Sequence, residues 1–280
     1  MRLRRGWIFS LLGFFLGCAA ISTIPLQSLQ VAPAGKPIRF FYPNHNGNVE
    51  GYLIRPRGTG PFPLIVLLHG HSMIGEGASR VLPAAEEFSR ELCYAALAIS
   101  LPGYGMTELG ADGDREIVES VVLDGIAHVT SLPWVDRERL LVYGFSRGAF
   151  FAAALSGKLP NLRTAVLHAG AYDLQRLYED TPSLWVRQSL SPNGDRSSRL
   201  VTILPEVTGW RAPTLILHGG KDQLIPISQA SFLRDRLEAL GKPHRFVVFP
   251  DAGHRLPLDG VKQEVLSFIG QNVGTACSAR

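Results

Sequence analysis

Three side chains far apart in the sequence have the types and settings needed to turn an ordinary hydroxyl into a nucleophile: Ser146, Asp222 and His254. A serine attacks a carbonyl only when a base takes its proton, and the base works best when a carboxylate fixes its tautomer and orientation. Ser146 stands in Gly144-Phe145-Ser146-Arg147-Gly148, directly after the apolar run Leu140 to Tyr143 and directly before the apolar stretch Phe150 to Leu155. A strand that runs through Gly-x-Ser-x-Gly into a helix holds its serine on a sharp, strained turn, which demands small residues two positions to either side. The same turn puts the Arg147 amide at a helix amino terminus, where unpaired donors and the dipole favour a developing oxyanion.

A base and an orienting carboxylate are supplied in the chain order expected for such a turn, serine then aspartate then histidine. Asp222 follows the apolar run Thr214 to Leu217, and His254 follows Phe246 to Phe249. Each thus lies in a loop just beyond a strand's carboxyl end, where α/β sheets assemble their sites. Asp251 and Asp173 compete with Asp222 for the acid, and His168 and His218 compete with His254. Both of those histidines end apolar strands and read more readily as core histidines. The glycines of Leu101-Pro102-Gly103-Tyr104-Gly105 are turn residues, since no lysine followed by serine or threonine completes a phosphate loop. His69 and His71 are alternate residues of one loop and lack zinc-ligand spacing, so neither a metal nor a cofactor is expected.

The elements that must position these residues can be read from hydropathy. Apolar runs at Leu64 to Leu68, Ala95 to Ile99, Leu140 to Tyr143, Ala165 to Leu167, Leu215 to Leu217 and Phe246 to Phe249 predict strands covered on both faces, as in a parallel sheet. Ile38 to Tyr42 and Val49 to Ile54 flank a turn-rich stretch and predict an antiparallel edge hairpin. Val118, Val122, Ile126 and Val129 mark one helix face, and Ala230, Leu233, Leu237 and Leu240 another, which Gly241 ends. Alternating strand and helix predict a doubly wound, mostly parallel α/β sheet with an antiparallel amino-terminal edge. No strand is evident from about 173 to 212, where Tyr178, Trp185, Val186 and Trp210 lie among prolines. That interval is expected to be a short cap inserted over the carboxyl edge of the sheet.

With these motifs in place the chain resembles the α/β-hydrolases, closest to the dienelactone hydrolases and the catalytic domains of prolyl oligopeptidases, over about residues 38 to 270. The resemblance implies Ser146 as nucleophile, His254 as general base and then acid, and Asp222 as the residue that orients the imidazole. It favours Asp222 over Asp251, which shares the histidine's own loop. It also implies that the residue after the His69-Gly70 pair donates the second oxyanion amide, naming His71, with Ser72 as the near alternative. Two departures weaken peptidase and dienelactone activities: no tyrosine stands in His69 to Gly75, and position 146 is serine where dienelactone hydrolases use cysteine. A segment in which family members often place an aspartate begins here with Ser100.

The 280 residues, 46% hydrophobic and 19% charged, suit one large domain with a buried core and exclude a disordered chain. Three cysteines cannot build a disulfide framework; Cys93 reads as a buried hydrophobe and Cys277 lies in a polar tail, a bridge between them being the lesser reading. Arg2, Arg4 and Arg5 precede the uncharged run Trp7 to Gly17, the arrangement of an export signal in residues 1–24. Phe15-Leu16-Gly17-Cys18 resembles a bacterial lipobox and makes Cys18 the lipidation candidate, with cleavage after Ala20 or retention as an anchor as the other routes. The net charge of +4 includes those three arginines, and no basic stripe interleaves with aromatics, so nucleic acid is not an expected partner. The expectation is therefore an exported, membrane-tethered serine hydrolase in residues 25–280, acting without a cofactor on a carboxylic ester. A peptidase or amidase, with a short peptide as substrate, is the alternative within enzymes, and a non-catalytic cell-envelope binding protein the alternative outside them.

Overall fold

The computed structural model describes residues 26–110, 114–191 and 200–277. Eight strands form one sheet: β1 (Pro37–Asn44), β2 (Gly47–Ile54), β3 (Phe62–Leu68), β4 (Ala95–Ile99), β5 (Val135–Phe145), β6 (Leu162–His168), β7 (Thr214–Gly219) and β8 (His244–Phe249). Their order across the sheet is β1-β2-β4-β3-β5-β6-β7-β8, with β3 to β8 parallel and the β1–β2 hairpin antiparallel at one edge. This is the predicted architecture. The hairpin is tighter than the sequence suggested, because Asn44 pairs with Gly47 and the Asn44 side chain accepts the Asn46 amide at 3.1 Å.

Each apolar strand buries alternate side chains in two separate cores. Leu64, Val66 and Leu68 of β3 join the core beneath α3 (Arg115–Thr130) and α4 (Arg147–Ser156), whereas Ile65 and Leu67 join that beneath α2 (Leu82–Leu92) and α8 (Leu258–Asn272). The helix face read from the sequence is buried in α3, and in α7 (Ser228–Ala239) Ala230, Leu233 and Leu237 are buried while Leu240, just past the helix end, is half-buried; Gly241 follows at φ +61°. β8 departs from expectation: it is half-buried along its length, because it closes the sheet and has a neighbour on one side only.

Between β6 and β7 the chain forms α5 (Leu174–Asp180), α6 (Leu184–Leu190) and a 3-10 turn over Leu204–Gly209. Asp173 and Ser183 cap the two helices by accepting the amides of Arg176 and Val186. Ala171, Leu177, Val186 and Ile225 form a small apolar cluster of their own, but Trp210 is buried in the main core.

Cys93 and Cys277 are joined by a disulfide, so Cys93 is not the buried hydrophobe expected from its apolar helix. It lies half-buried just past α2 in a left-handed conformation, and α8 packs beside α2 and carries the tail to it. After α1 (Leu26–Gln30), Ala34 bridges to Arg55, just past the end of β2 that lies level with the start of β4. The chain therefore enters the fold at the amino ends of the parallel strands. Among the described residues no helix is long and apolar enough to cross a membrane; the segment read as an export signal, with Cys18, lies outside them.

Candidate active site

Ser146 sits between β5 and α4 at φ 55° and ψ −118°, a strained conformation for a residue with a side chain. Two close approaches enforce it. A Cβ on Gly144 would collide with the Gly148 carbonyl, and one on Gly148 with the Leu68 carbonyl, so only glycine allows strand, turn and helix to pack. The Ser146 amide donates to the His168 carbonyl at 2.8 Å and fixes the turn to β6.

The structure brings the three distant side chains together. His254 Nε2 lies 2.9 Å from Ser146 Oγ, and His254 Nδ1 lies 2.8 Å from Asp222 Oδ2. A carboxylate only accepts, so Nδ1 carries the imidazole proton and Nε2 is left to accept from the serine. The other Asp222 oxygen accepts the amides of Leu224 and Ile225 at 2.9 and 3.0 Å. Burial opposes ionisation of this carboxyl, but the His254 hydrogen bond and charge, with those two amides, outweigh it and hold the pKa below its ordinary value.

The competing residues fall elsewhere. Asp251 is exposed and pairs with Lys221 at 2.7 Å, and Asp173 caps α5 and faces Arg176. His168 meets the Tyr143 hydroxyl at 2.7 Å, and burial, reinforced by the neighbouring His254 and His218, lowers its pKa to about 3. His218 is fully buried and donates from Nε2 to the Ile225 carbonyl at 2.8 Å, bracing the loop that carries Asp222. Burial lowers its pKa too. Both are neutral core histidines beneath the site.

Arg147 is the first residue of α4, so its amide lies at the helix amino terminus, where the dipole favours negative charge. The β3 loop passes directly against the serine: a Cβ on Gly70 would lie 2.9 Å from that of Ser146. His69 is buried, and its Nε2 accepts the Leu101 amide at 3.0 Å, so the proton is on Nδ1, which donates to the Gly70 carbonyl at 2.7 Å. That carbonyl belongs to the peptide whose N–H is His71's, and a trans peptide turns its N–H away from its C=O. Burial lowers the His69 pKa to about 4, which keeps this tautomer neutral. The His71 side chain is not incidental: Nδ1 meets the Tyr104 hydroxyl, and its ring lies 4.9 Å from that of Trp185 on α6. Burial, then the charges of Arg147 and Arg80, lower its pKa.

Four side chains have roles here that the sequence reading did not assign. Glu50 of β2 is buried and takes the carboxylate role left open at Ser100, accepting the Ser100 hydroxyl at 2.6 Å, the Met106 amide at 3.0 Å and Arg39 Nε at 2.6 Å. Tyr104, in the loop after β4, and Trp185, on α6, hold His71 from two different elements. Thr181, after α5, donates to the Leu224 carbonyl at 2.9 Å and so ties the insert to the Asp222 loop.

A cavity of about 720 Å³ opens beside Ser146 and His254, within the range of small-molecule sites. Its lining is mostly apolar and comes from α4, α5, α6 and the β3 loop, with Arg255 beside the histidine. Among the described residues no group of three histidines, cysteines or carboxylates is placed to hold a metal ion.

This sheet and this serine, histidine and aspartate define an α/β-hydrolase of the serine-hydrolase class. More narrowly, the chain belongs to the prolyl oligopeptidase family, whose model matches residues 118–274, and an FrsA-like esterase model matches residues 30–180. It is 29% identical over 245 residues to the uncharacterized peptidase YuxL of Bacillus subtilis, a match covering 76% of this chain and 34% of YuxL. The chain thus spans about a third of that relative's length. Among solved structures, the acylaminoacyl peptidase of Pyrococcus horikoshii superposes with a TM-score of 0.74 at 18% identity, covering 91% of this chain and 44% of that one. The Pyrococcus furiosus esterase Pf2001 does so with a TM-score of 0.68 at 18% identity, covering 85% and 91%. At such identities these two likenesses concern the fold alone.

Proposed function

We propose that the protein is an exported carboxylic ester hydrolase working through an acyl-enzyme. The observation that carries this reading is the continuous relay from Asp222 through His254 to Ser146 at the mouth of a mainly apolar cavity. His254 Nε2 takes the hydroxyl proton as Ser146 Oγ bonds to the ester carbonyl, and the ionised Asp222 stabilises the imidazolium. The amides of Arg147 and His71 receive the oxyanion. His254 then gives its proton to the leaving alcohol, and a water activated by the same imidazole releases the acid.

The match to the prolyl oligopeptidase family favours a second reading, a peptidase or amidase sharing the relay. Labelling by a fluorophosphonate probe, present in wild type and lost in Ser146→Ala, tests the chemistry; folded wild type left unlabelled moves the protein to the binding class. A panel of acyl esters and aminoacyl amides separates the two enzymes, and cleavage of amides with every ester ignored overturns the first choice.

Export, and a lipid on Cys18, complete the proposal. The Cys93–Cys277 disulfide supports an oxidising compartment. Metabolic labelling with a fatty acid should disappear in Cys18→Ala, and label that persists in the variant excludes that site.

A further inference from the structure

The cavity is larger than cleavage of a small ester needs, and its lining is unevenly distributed. The leaving alcohol must lie beside His254 Nε2, which protonates it, and there the cavity is bordered by the exposed Arg255. The wall of α4 and the insert remains for the acyl group. It is built from Phe150, Phe151, Leu174, Val186, Leu190 and Val201. Arg115 and Arg147 also reach this wall; the carboxylates of Glu119 and Glu206 hold the guanidinium of Arg115, and that of Arg147 lies over the Phe151 ring, 5.3 Å from its centroid.

The rim continues the same chemistry. Eight large apolar side chains are exposed among the described residues, and five of them are Met73, Ile74, Met106, Leu184 and Trp185. Met73, Ile74 and Trp185 line the cavity itself, and Leu184 precedes Trp185. Met106 follows Gly105, whose amide donates to the Gly75 carbonyl at 2.7 Å, so it adjoins the same loop. Exposed apolar side chains gathered at the mouth of an apolar cavity mark a binding surface.

We infer that this wall and rim form an acyl-chain subsite, and that the substrate class is an ester of an aliphatic acid of octanoyl length or longer. The inference rests on the ester reading above and names its substrate. A peptide would bring amides that this wall, with Ser183 and Ser189 as its neutral hydroxyls, does not match. A methylene chain asks only for burial, and each methylene buried in the transition state is worth roughly a threefold to fourfold gain in kcat/KM.

Two measurements test it. Across soluble 4-nitrophenyl esters from acetate to decanoate, each below its micelle concentration, kcat/KM should climb with chain length at least to octanoate; a profile that is flat or falls from acetate overturns the subsite. In Val186→Trp, which fills the wall, the octanoate-to-acetate ratio should drop at least tenfold, and an unchanged ratio in a folded variant counts against it. The second measurement needs no turnover: full-length Ser146→Ala should release a dansyl-labelled fatty acid to dodecanoate at micromolar concentrations and not to acetate. No displacement overturns the subsite whatever the enzyme hydrolyses. Wild type that takes the fluorophosphonate and cleaves amides alone would instead overturn the ester reading, leaving dodecanoate binding to judge the wall.

Discussion

Ser146 stands where strand, turn and neighbouring loop meet with no space to spare, whereas the described part of the insert that lines the same cavity has two seven-residue helices packed at a four-residue cluster. At the first place backbone meets backbone, and a single added carbon has nowhere to go. At the second, side chains meet side chains and can repack. The rigid edge holds reacting atoms to hydrogen-bond distances, as charge stabilisation in the transition state requires. The softer wall sets what fits. A substitution at the edge should therefore change rate, and one in the insert should change selection.

The largest expected effect is that of Asp222→Asn. It preserves shape but presents an N–H or a neutral carbonyl to His254 Nδ1, so kcat on a soluble ester should fall about 10³- to 10⁴-fold with the fold retained by circular dichroism. Asp251→Asn, on the exposed partner of Lys221, should stay within about twofold of wild type. Equal losses in the two variants would mean that the relay does not run through residue 222.

His69→Phe comes next. It leaves the buried Leu101 amide without an acceptor and frees the peptide that carries the His71 N–H. Urea unfolding should show a loss of about 1–3 kcal/mol. Because the oxyanion forms in the transition state, kcat should fall more than KM rises, by roughly ten- to a hundredfold.

A smaller effect follows from pH. His69 and His168 are held neutral by burial, with pKa values of about 4 and about 3, while the unfolded chain takes up a proton on each near 6.5. The unfolded state binds more protons between those limits, so their stabilisation is complete above pH 6.5 and is lost as pH falls toward 4 and 3. Each should add about 1.4 kcal/mol per pH unit to the slope of unfolding free energy, and His168→Gln should flatten it by that amount. A wild-type slope near zero between pH 6 and 5 would contradict both. The depressed pKa of Asp222 acts in a lower window, its contribution being present above the ordinary aspartate value near 4 and lost beneath it.

Trp185→Ala, in the insert, should do least to rate. It removes the ring packed on His71 and part of the rim, so KM for a long-chain ester should rise severalfold while kcat changes less than in His69→Phe. A kcat loss as large as that of His69→Phe would show the two regions to be one mechanical unit.

The same contrast governs what could be read from the sequence. The elbow was legible because its sterics write themselves as glycines at fixed spacing next to an apolar run, and Asp222 and His254 because loops beyond parallel strands converge. Glu50 was not: its partners Ser100 and Met106 lie about fifty residues away, and a glutamate in a hairpin at the side of a sheet looks like any solvent-facing residue. The Cys93–Cys277 bond depends on how α8 lies along α2, which no local pattern encodes. Trp185 could be listed as an aromatic of the insert, but its contact with His71 is a product of how α6 settles on the β3 loop.

The bridge from Ala34 to Arg55 also bears on how the proposed lipid anchor would orient the protein. A lipid on Cys18 would be separated from Leu26 by a stretch reaching at most about 28 Å, less than the roughly 45 Å breadth of a domain this size. So short a leash, fastened at the pole opposite Ser146, would stand the molecule with its opening turned outward, grazing on esters that drift past and unable to crop the bilayer beneath it.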